Sequence, residues 1–197
     1  MTTLIPFASL QAASWKNGGG STAEIAAWPP GAGLDDFIWR ISVATIAADG
    51  PFSRFAGVER SLLLLAGESV QLVIDGARTV RLDAAAPLLC FDGEAAVTAQ
   101  VSGVTTDLNV MTRRGYCRHQ LTRMTAPQQL VRASAATLLF AAGGALTVSD
   151  GRQQFALQRH DSLLLDAGDA DTWQLDAPAP TPLVLVDLLV EHSKEER

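Results

Sequence analysis

The hydrophobic residues of this chain occur in short runs that are separated by turn-forming residues. Each run is four to ten residues long and ends at Gly, Asp or Pro, or at a small cluster of them. Runs of this length, spaced by about 8–12 residues, are typical of the strands of a β-sandwich or β-barrel. The pattern therefore predicts an all-β fold. The clearest runs are residues 37–46, 61–67, 70–76, 79–84, 87–93, 95–101 and 105–112.

Local signals agree with this fold class. Residues 72–82 predict a β-hairpin that turns at Asp75-Gly76, because an Asp-Gly pair flanked by apolar residues favours a tight hairpin turn. Helix signals are weak, and only residues 129–140 allow one or two helical turns.

The chain also contains an internal repeat. Residues 63–93 align without gaps with residues 138–168, and 10 of the 31 aligned positions are identical, including an Asp-Gly turn and a final glycine. The alternative is that any two hairpins rich in Leu and Ala look alike. The coincidence of strands and turns over four elements favours duplication, and a repeat of about 75 residues is too long for a solenoid unit. We therefore predict two packed β-barrels or sandwiches of similar topology.

The two halves are expected to differ. We predict a first domain over residues 1–121 and a smaller second domain over residues 122–197. Residues 1–60 precede the first repeat, and we expect them to have no counterpart in the second half. Most candidate functional residues lie in this extra part, so the first domain is expected to carry a pocket.

Charge excludes several classes of partner. The 197 residues have a net charge of −6, whereas proteins that bind nucleic acids or anionic membranes need a basic face. No run approaches the ~18 apolar residues of a membrane span. The first residues lack the basic region and long apolar core of a signal peptide. We expect a cytoplasmic protein without a nucleic-acid or membrane partner.

The residues that usually bind metals are scattered. His119, His160 and His192 are isolated in the sequence, and Cys90 and Cys117 show no metal-binding spacing. Cys90 lies in an apolar run and is expected in the core. The motifs of dinucleotide-binding proteins and of serine hydrolases are absent from the sequence. We predict no metal and no other cofactor.

The segment SWKNGGGSTAEI, residues 14–25, is the strongest local anomaly. Three consecutive glycines let backbone N–H groups approach a ligand closely and can form an anion-binding nest. The segment is not a phosphate-binding P-loop, because its lysine precedes the glycines. The alternative is an ordinary flexible loop. Around the glycines lie an apolar wall, a cation, an amide, hydroxyls and a carboxylate: Trp15, Lys16, Asn17, Ser21, Thr22 and Glu24.

Two strands carry further polar candidates. Alternation along residues 37–44 places Trp39 on one face and Arg40 with Ser42 on the other. Arginine binds carboxylates bidentately, so this face is a candidate carboxylate clamp, or else an ordinary solvated surface. Asp107 and Asn109 are residue types that strands disfavour. They indicate either a lined interior or an edge strand in contact with water.

Four segments in this order and spacing resemble the HutD/Ves family: WKNGGGSTAEI, FIWRISVA, DGPFSRFAGVER and DLNVMTRRG. The resemblance extends over nearly the whole chain and is strongest over residues 12–115. It implies a bicupin, with two packed cupin-like β-barrels, that is cytoplasmic and associated with bacterial histidine utilisation. Metal-binding cupins use an HxH-type motif with a glutamate and a later histidine, and both repeats lack it. Metal-dependent activity is therefore not implied.

The resemblance also implies a ligand and a site. The ligand would be a small acidic metabolite such as N-formylglutamate or urocanate, and binding would regulate the flux of histidine catabolism. The positions that match the family motifs are Trp15, Lys16, Asn17, Thr22, Glu24, Trp39, Arg40, Ser42, Ser53 and Arg60, with Asp107 and Asn109 as weaker additions.

Three hypotheses of function follow. The first is a non-catalytic protein that binds a carboxylate through Lys16, Arg40 or Arg60, or through several of them. The second is a metal-independent isomerase or hydrolase with Lys16 and Glu24 as an acid/base pair and the glycine loop as an oxyanion site. The third is a scaffold or regulatory subunit that meets its partner through a barrel face. We expect a homodimer, although no residue specifies its interface.

Overall fold

The computed structural model describes residues 1–191, which form β-strands almost throughout. One short 3₁₀ helix, Phe7–Ser9, lies between the first two strands. The first eleven strands are β1 (Thr3–Ile5), β2 (Ala12–Ser14), β3 (Gly20–Trp28), β4 (Trp39–Ile46), β5 (Gly50–Pro51), β6 (Val58–Ala66), β7 (Val70–Ile74), β8 (Arg78–Leu82), β9 (Leu88–Asp92), β10 (Val97–Val101) and β11 (Thr105–Arg113). The remaining eight are β12 (Cys117–Ala126), β13 (Gln128–Val131), β14 (Ala136–Phe140), β15 (Leu146–Ser149), β16 (Gln154–Leu157), β17 (Ser162–Leu165), β18 (Thr172–Asp176) and β19 (Thr181–Val190).

The chain forms two compact units. The first unit is Gln11–Tyr116, and the second unit combines Met1–Leu10 with the chain from Cys117 onward. The N-terminus belongs to the second unit because β1 pairs antiparallel with β17. The boundary predicted after residue 121 falls inside β12, all ten residues of which pair with β19. The observed division lies before this strand.

Each unit contains two sheets with matching strand order, which confirms the duplication. The first unit has a six-stranded sheet, β2-β3-β4-β11-β6-β9, and a four-stranded sheet, β5-β10-β7-β8. The second unit has a five-stranded sheet, β12-β19-β14-β17-β1, and a four-stranded sheet, β13-β18-β15-β16. The two Asp-Gly turns fall in equivalent hairpins, β7-β8 and β15-β16.

The strand orders of the four sheets correct two expectations from the sequence. Residues 39–51 do have a counterpart, because β12 and β13 occupy the places that β4 and β5 occupy in the first unit. Only β2 and β3 are additions to the first unit, as β1 is to the second. Each sheet formed by the described residues has two edge strands, so the sheets are open and are not closed into barrels.

The strands form where apolar residues alternate, and each unit buries its own core. The cluster of the first unit is Ile46, Leu62, Val70, Leu72, Ile74, Leu82, Leu89, Phe91, Val97 and Ala99. The larger cluster of the second unit includes Leu139, Leu163, Leu165, Trp173, Leu175 and Leu183. Full burial of each large apolar side chain contributes about 1.5–3 kcal/mol.

Three smaller points concern the sequence expectations. Residues 129–140 form parts of β13 and β14 and no helix. Cys90 is exposed on the edge strand β9, so its placement in the core was wrong, whereas Cys117 is buried. His192 lies outside the described residues.

Within residues 1–191, no helix has the length and apolar character that crossing a membrane requires.

Candidate functional site

A cavity of about 610 Å³ lies in the first unit, on the inner face of the six-stranded sheet. Phe52, Phe55, Leu34 and Met111 supply much of its apolar wall. Nine of the twelve predicted site residues line it: Trp15, Lys16, Asn17, Thr22, Arg40, Ser53, Arg60, Asp107 and Asn109.

Strand register explains why these distant residues meet. Met111 on the central strand β11 is paired with Arg40 of β4 on one side and with Arg60 of β6 on the other. Asp107 of the same strand is paired with Ala44. Residues paired across antiparallel strands project to the same side of the sheet, so one face collects the two arginines and the two polar residues of β11.

Arg60 is the buried cation of the site. Its Nε and Nη2 donate to Oδ1 of Asn109 at 3.4 and 3.3 Å, and its Nη1 donates to the carbonyl oxygen of Ser53 at 3.2 Å. The guanidinium lies 5.0–5.5 Å from the ring centroids of Phe52, Phe55 and Phe91. Burial lowers the pKa of Arg60 to about 10, against the raising effect of Asp107, so the side chain stays charged near neutral pH.

Arg40 is held from two sides. Its Nε donates to Oε2 of Glu24 at 2.7 Å, and its Nη1 donates to Oγ of Ser42 at 3.4 Å. Neither Glu24 nor Ser42 lines the cavity. Their contacts orient Arg40, which leaves the far side of its guanidinium for a ligand. The sequence predicted a ligand contact for all three residues, whereas in the structure only Arg40 lines the cavity.

Asp107 has no partner in the wall that it occupies. It is 1% exposed, and neither carboxyl oxygen has a hydrogen-bond partner within residues 1–191. Burial raises the pKa of Asp107 to about 7, and the positive charge of Arg60 opposes this shift. A buried polar group without a hydrogen bond is energetically unfavourable.

The glycine loop positions side chains and does not form an anion nest. The Gly18 N–H donates to the carbonyl oxygen of Trp15 at 3.0 Å, and the Gly19 N–H donates to Oδ1 of Asn17 at 3.0 Å. A Cβ atom on Gly20 would lie 2.2 Å from the carbonyl oxygen of Thr45, so this position requires glycine. The two N–H groups satisfy the loop itself, which contradicts the nest hypothesis.

The loop holds the indole ring of Trp15 in place and brings the cation of Lys16 to the cavity wall. Nε1 of Trp15 donates to Oγ1 of Thr22 at 2.8 Å, and its ring meets Phe52 edge to face. Lys16 lines the cavity, whereas the carboxylate of Glu24 is bound to Arg40. The ion pair of Glu24 is with Arg40, and Glu24 does not line the cavity that Lys16 lines. The geometry therefore gives no support to an acid/base pair.

Trp39 faces away from the cavity. It is 4% exposed and follows the opposite alternation from Arg40, together with the buried Ile41 and Val43. Phe52 and Phe55 do line the cavity but were not among the predicted contacts. Their signal was the pair of aromatic residues in the Gly/Pro loop, which fits a core as well as a pocket.

Comparisons with known proteins place the chain among bacterial relatives. The family model described as HutD matches residues 8–183. An uncharacterized 21.2 kDa protein in the hutC 3′ region of Pseudomonas putida is 36% identical over 79% of this chain and 82% of its own length. Protein Ves of Citrobacter koseri is 44% identical over 53% of this chain and 54% of its own length.

Solved structures agree with these matches. HutD from Pseudomonas fluorescens SBW25 is 26% identical, with a TM-score of 0.84 over 98% of this chain and 100% of that chain. A conserved protein of unknown function from Pseudomonas aeruginosa PAO1 is 30% identical, with a TM-score of 0.88 over 96% of this chain and 99% of that chain. More distant neighbours, at 9–12% identity, include a salicylate 1,2-dioxygenase and a bacterial pirin in complex with nickel(II). The distant neighbours show a shared cupin-like β fold and nothing more.

The donor set of this cavity does not fit a metal ion such as the nickel of that pirin. The charged side chains in its wall are Lys16, Arg40, Arg60 and Asp107, and no histidine lines it. Within the described part of the chain, no group of three or more His, Cys, Asp or Glu side chains is arranged to hold a metal ion. With three cations and one carboxyl group, this wall is suited to an anion instead.

Proposed function

This chain belongs to the HutD family, and on that premise we propose that it binds a small carboxylate in the cavity of the first unit without transforming it. One curated relative is named for its place in the hutC region of P. putida, which links the family to histidine utilisation. The bound acid would then report on the state of that pathway in the cytoplasm.

The buried charge of Arg60 carries this proposal. Its hydrogen bonds go to an amide oxygen and a carbonyl oxygen, and no carboxylate of residues 1–191 forms an ion pair with it. Arg40 and Lys16 lie in the same wall. A guanidinium forms short, charge-assisted hydrogen bonds to carboxylates, and they are stronger in a partly desolvated site. The cavity is therefore electrostatically incomplete until an anion enters.

Size and a relative narrow the range of acids. Cavities of about 300–1,000 Å³ take metabolites and cofactors, which suits N-formylglutamate or urocanate. The HutD structure from P. fluorescens was determined in a formate condition, and formate is the smallest carboxylate. We infer that the physiological ligand is an acid of histidine catabolism and that its binding regulates flux through the pathway.

Calorimetric titration tests this proposal. The panel is N-formylglutamate, urocanate, glutamate and formate, each with and without a divalent metal. We expect at least one pathway acid to bind independently of metal, with no product formed on prolonged incubation.

Arg40→Ala is the decisive variant. It removes a cation from the cavity wall, so we expect affinity for that acid to fall at least tenfold, or about 1.4 kcal/mol. Arg81→Ala removes an arginine whose side chain is 56% exposed and lies outside the cavity, and it is the control with unchanged affinity. Equal affinity of folded Arg40→Ala and wild-type protein would overturn the site, and turnover of any acid would overturn the non-catalytic role.

A further inference from the structure

Three aspartates are buried among residues 1–191, and one of them lacks the hydrogen bonds that the other two accept. Asp161 accepts hydrogen bonds from the backbone N–H groups of Phe7 and Gln158, both at 2.8 Å. Asp187 accepts hydroxyl groups of Ser134 and Thr137 at 2.8 and 3.1 Å. Neither carboxyl oxygen of Asp107 accepts a hydrogen bond from any residue in the range 1–191. Because the other two buried carboxylates have hydrogen-bond partners within the fold, the unpartnered carboxylate of Asp107 points to a partner that is not part of the chain.

The position of Asp107 within the cavity indicates where that partner lies. Along β11, Asp107, Asn109 and Met111 share one face at successive two-residue steps. The arginine pair is in register with Met111, so its Cα positions lie about 13 Å along the strand from Asp107. The guanidinium of Arg60 reaches back to Asn109, where its charge acts on the carboxyl group of Asp107. Asp107 therefore lies at one end of this row of polar side chains, and the backbone positions of the two arginines lie at the other.

The two ends require different chemical groups. Because the pKa of Asp107 is about 7 in the ligand-free protein, its carboxyl group is mostly ionised at pH 8. An ionised carboxylate accepts hydrogen bonds and donates none, so the group that satisfies Asp107 at this pH must carry donors. Ligand oxygens of a simple dicarboxylic acid would instead meet it as like charges. A ligand that satisfies the whole wall carries an acidic group at one end and an N–H donor at the other.

We propose that Asp107 recognises an N–H donor of the ligand, so that the cavity selects nitrogen-bearing carboxylic acids, with an amide, amidine or imidazole N–H, over simple carboxylic acids. The inference rests on the proposed function, because it assumes that the arginine end holds a carboxylate. It assigns specificity to Asp107 and anion affinity to Arg40 and Arg60.

Matched ligands separate the two roles. Urocanate is compared with 3-(2-furyl)acrylate, which replaces the imidazole by a ring without N–H. N-formylglutamate is compared with 2-(formyloxy)glutarate, in which an ester oxygen replaces the amide N–H. We expect the N–H member of at least one pair to bind wild-type protein at least tenfold more tightly in calorimetric titrations at pH 8, where Asp107 is mostly ionised.

The variant Asp107→Asn tests the residue. It keeps the shape of the side chain but removes its charge and half of its acceptor capacity, so we expect the tenfold preference to fall below about threefold. The control is Asp187→Asn, which changes a buried carboxylate in the second unit and should leave the preference intact.

The outcomes are distinguishable. If wild-type protein binds none of these acids, carboxylate binding is overturned and this inference falls with it. If acids bind but the members of each pair bind equally, or if Asp107→Asn weakens both members alike, only the inference is overturned. Because the ligand pairs are first compared on wild-type protein, the result does not depend on the variant folding.

Discussion

The two units place a buried aspartate on equivalent central strands, and their surroundings differ. In the second unit Asp187 of β19 is bonded by the hydroxyls of Ser134 and Thr137. In the first unit Asp107 of β11 has no such hydroxyls and lies beside a cavity. The same frame thus holds a hydrogen-bonded buried carboxylate in one copy and a buried carboxylate without hydrogen bonds, beside a cavity, in the other. If the proposed function holds, the first copy has given up some stability for binding.

The largest expected contrast is the effect of neutralising each aspartate. Because burial raises the pKa of Asp107 from 3.8 to about 7, the folded protein keeps a proton that the unfolded chain loses between about pH 4 and pH 7. The free energy of unfolding therefore falls as pH rises through this window. Asp107→Asn should stabilise the ligand-free protein by up to about 4 kcal/mol at pH 8, and by much less at pH 5.

Asp187→Asn should have the opposite sign. It weakens two hydrogen bonds to a buried acceptor and should destabilise by about 1–2 kcal/mol. Urea unfolding of both variants and of wild-type protein at pH 5 and pH 8 measures the contrast. Destabilisation by Asp107→Asn at pH 8 would show that this carboxylate is satisfied in the free protein.

The second contrast concerns two buried arginines. Arg132 of the second unit donates to the carbonyl oxygens of Ser134, Ala135, Asp169 and Ala170 at 2.9–3.3 Å, so it ties backbone segments together. Arg132→Ala should destabilise the protein by about 2–4 kcal/mol, because it leaves several backbone carbonyl oxygens without their hydrogen-bond donor. It should leave ligand affinity unchanged, because these groups lie outside the cavity.

Arg60→Lys keeps the charge but loses the planar contacts with Asn109 and the phenylalanine rings. It should weaken carboxylate binding at least tenfold with a smaller effect on stability. Melting and titration of both variants give the two readouts. Equal loss of affinity in the two would remove the distinction between a structural and a ligand-binding arginine.

The smallest contrast concerns glycines. A Cβ on Gly20 would meet a backbone oxygen at 2.2 Å and the Trp15 ring at 3.0 Å, whereas a Cβ on Gly144 in the second unit has its nearest neighbour at 3.9 Å. Gly20→Ala should cost about 1–3 kcal/mol and shift the fluorescence of Trp15. Gly144→Ala should change the unfolding free energy by less than about 0.5 kcal/mol. Similar effects at both positions would contradict the close approach at Gly20.

The fold was predictable because its signals are local or periodic. Apolar alternation and Asp-Gly turns mark the strands, and the repeat survives in residues 63–93 and 138–168. The counterpart of β4 and β5 escaped notice because the sequences of β12 and β13 have diverged, while their pairing has not. Pairing is made by backbone N–H and C=O groups, which all residues except proline carry in full, so it can persist after the side chains have diverged.

The lining of the cavity was predictable in part for the same reason. Alternation put Arg40 and Ser42 on one face of their strand, as a carboxylate clamp or a solvated surface, and the unusual Asp107 and Asn109 indicated a lined interior or an edge strand. In the structure Arg40, Asp107 and Asn109 line the cavity. The same alternation should have removed Trp39 from the site. That Asp107 lacks a partner could not be predicted, because it depends on which side chains lie around it in three dimensions.

The pairing of β1 with β17 bears on the order in which the protein is made. Residues 3–5 leave the ribosome before the first unit, but their partners, residues 162–164, are synthesised after it. At about 5–20 residues per second, β1 waits roughly 8–30 seconds for its partner, while the whole of the first unit, residues 11–116, is synthesised in between. The first unit can therefore finish folding during synthesis, whereas the second unit can be completed only after β17 has been made.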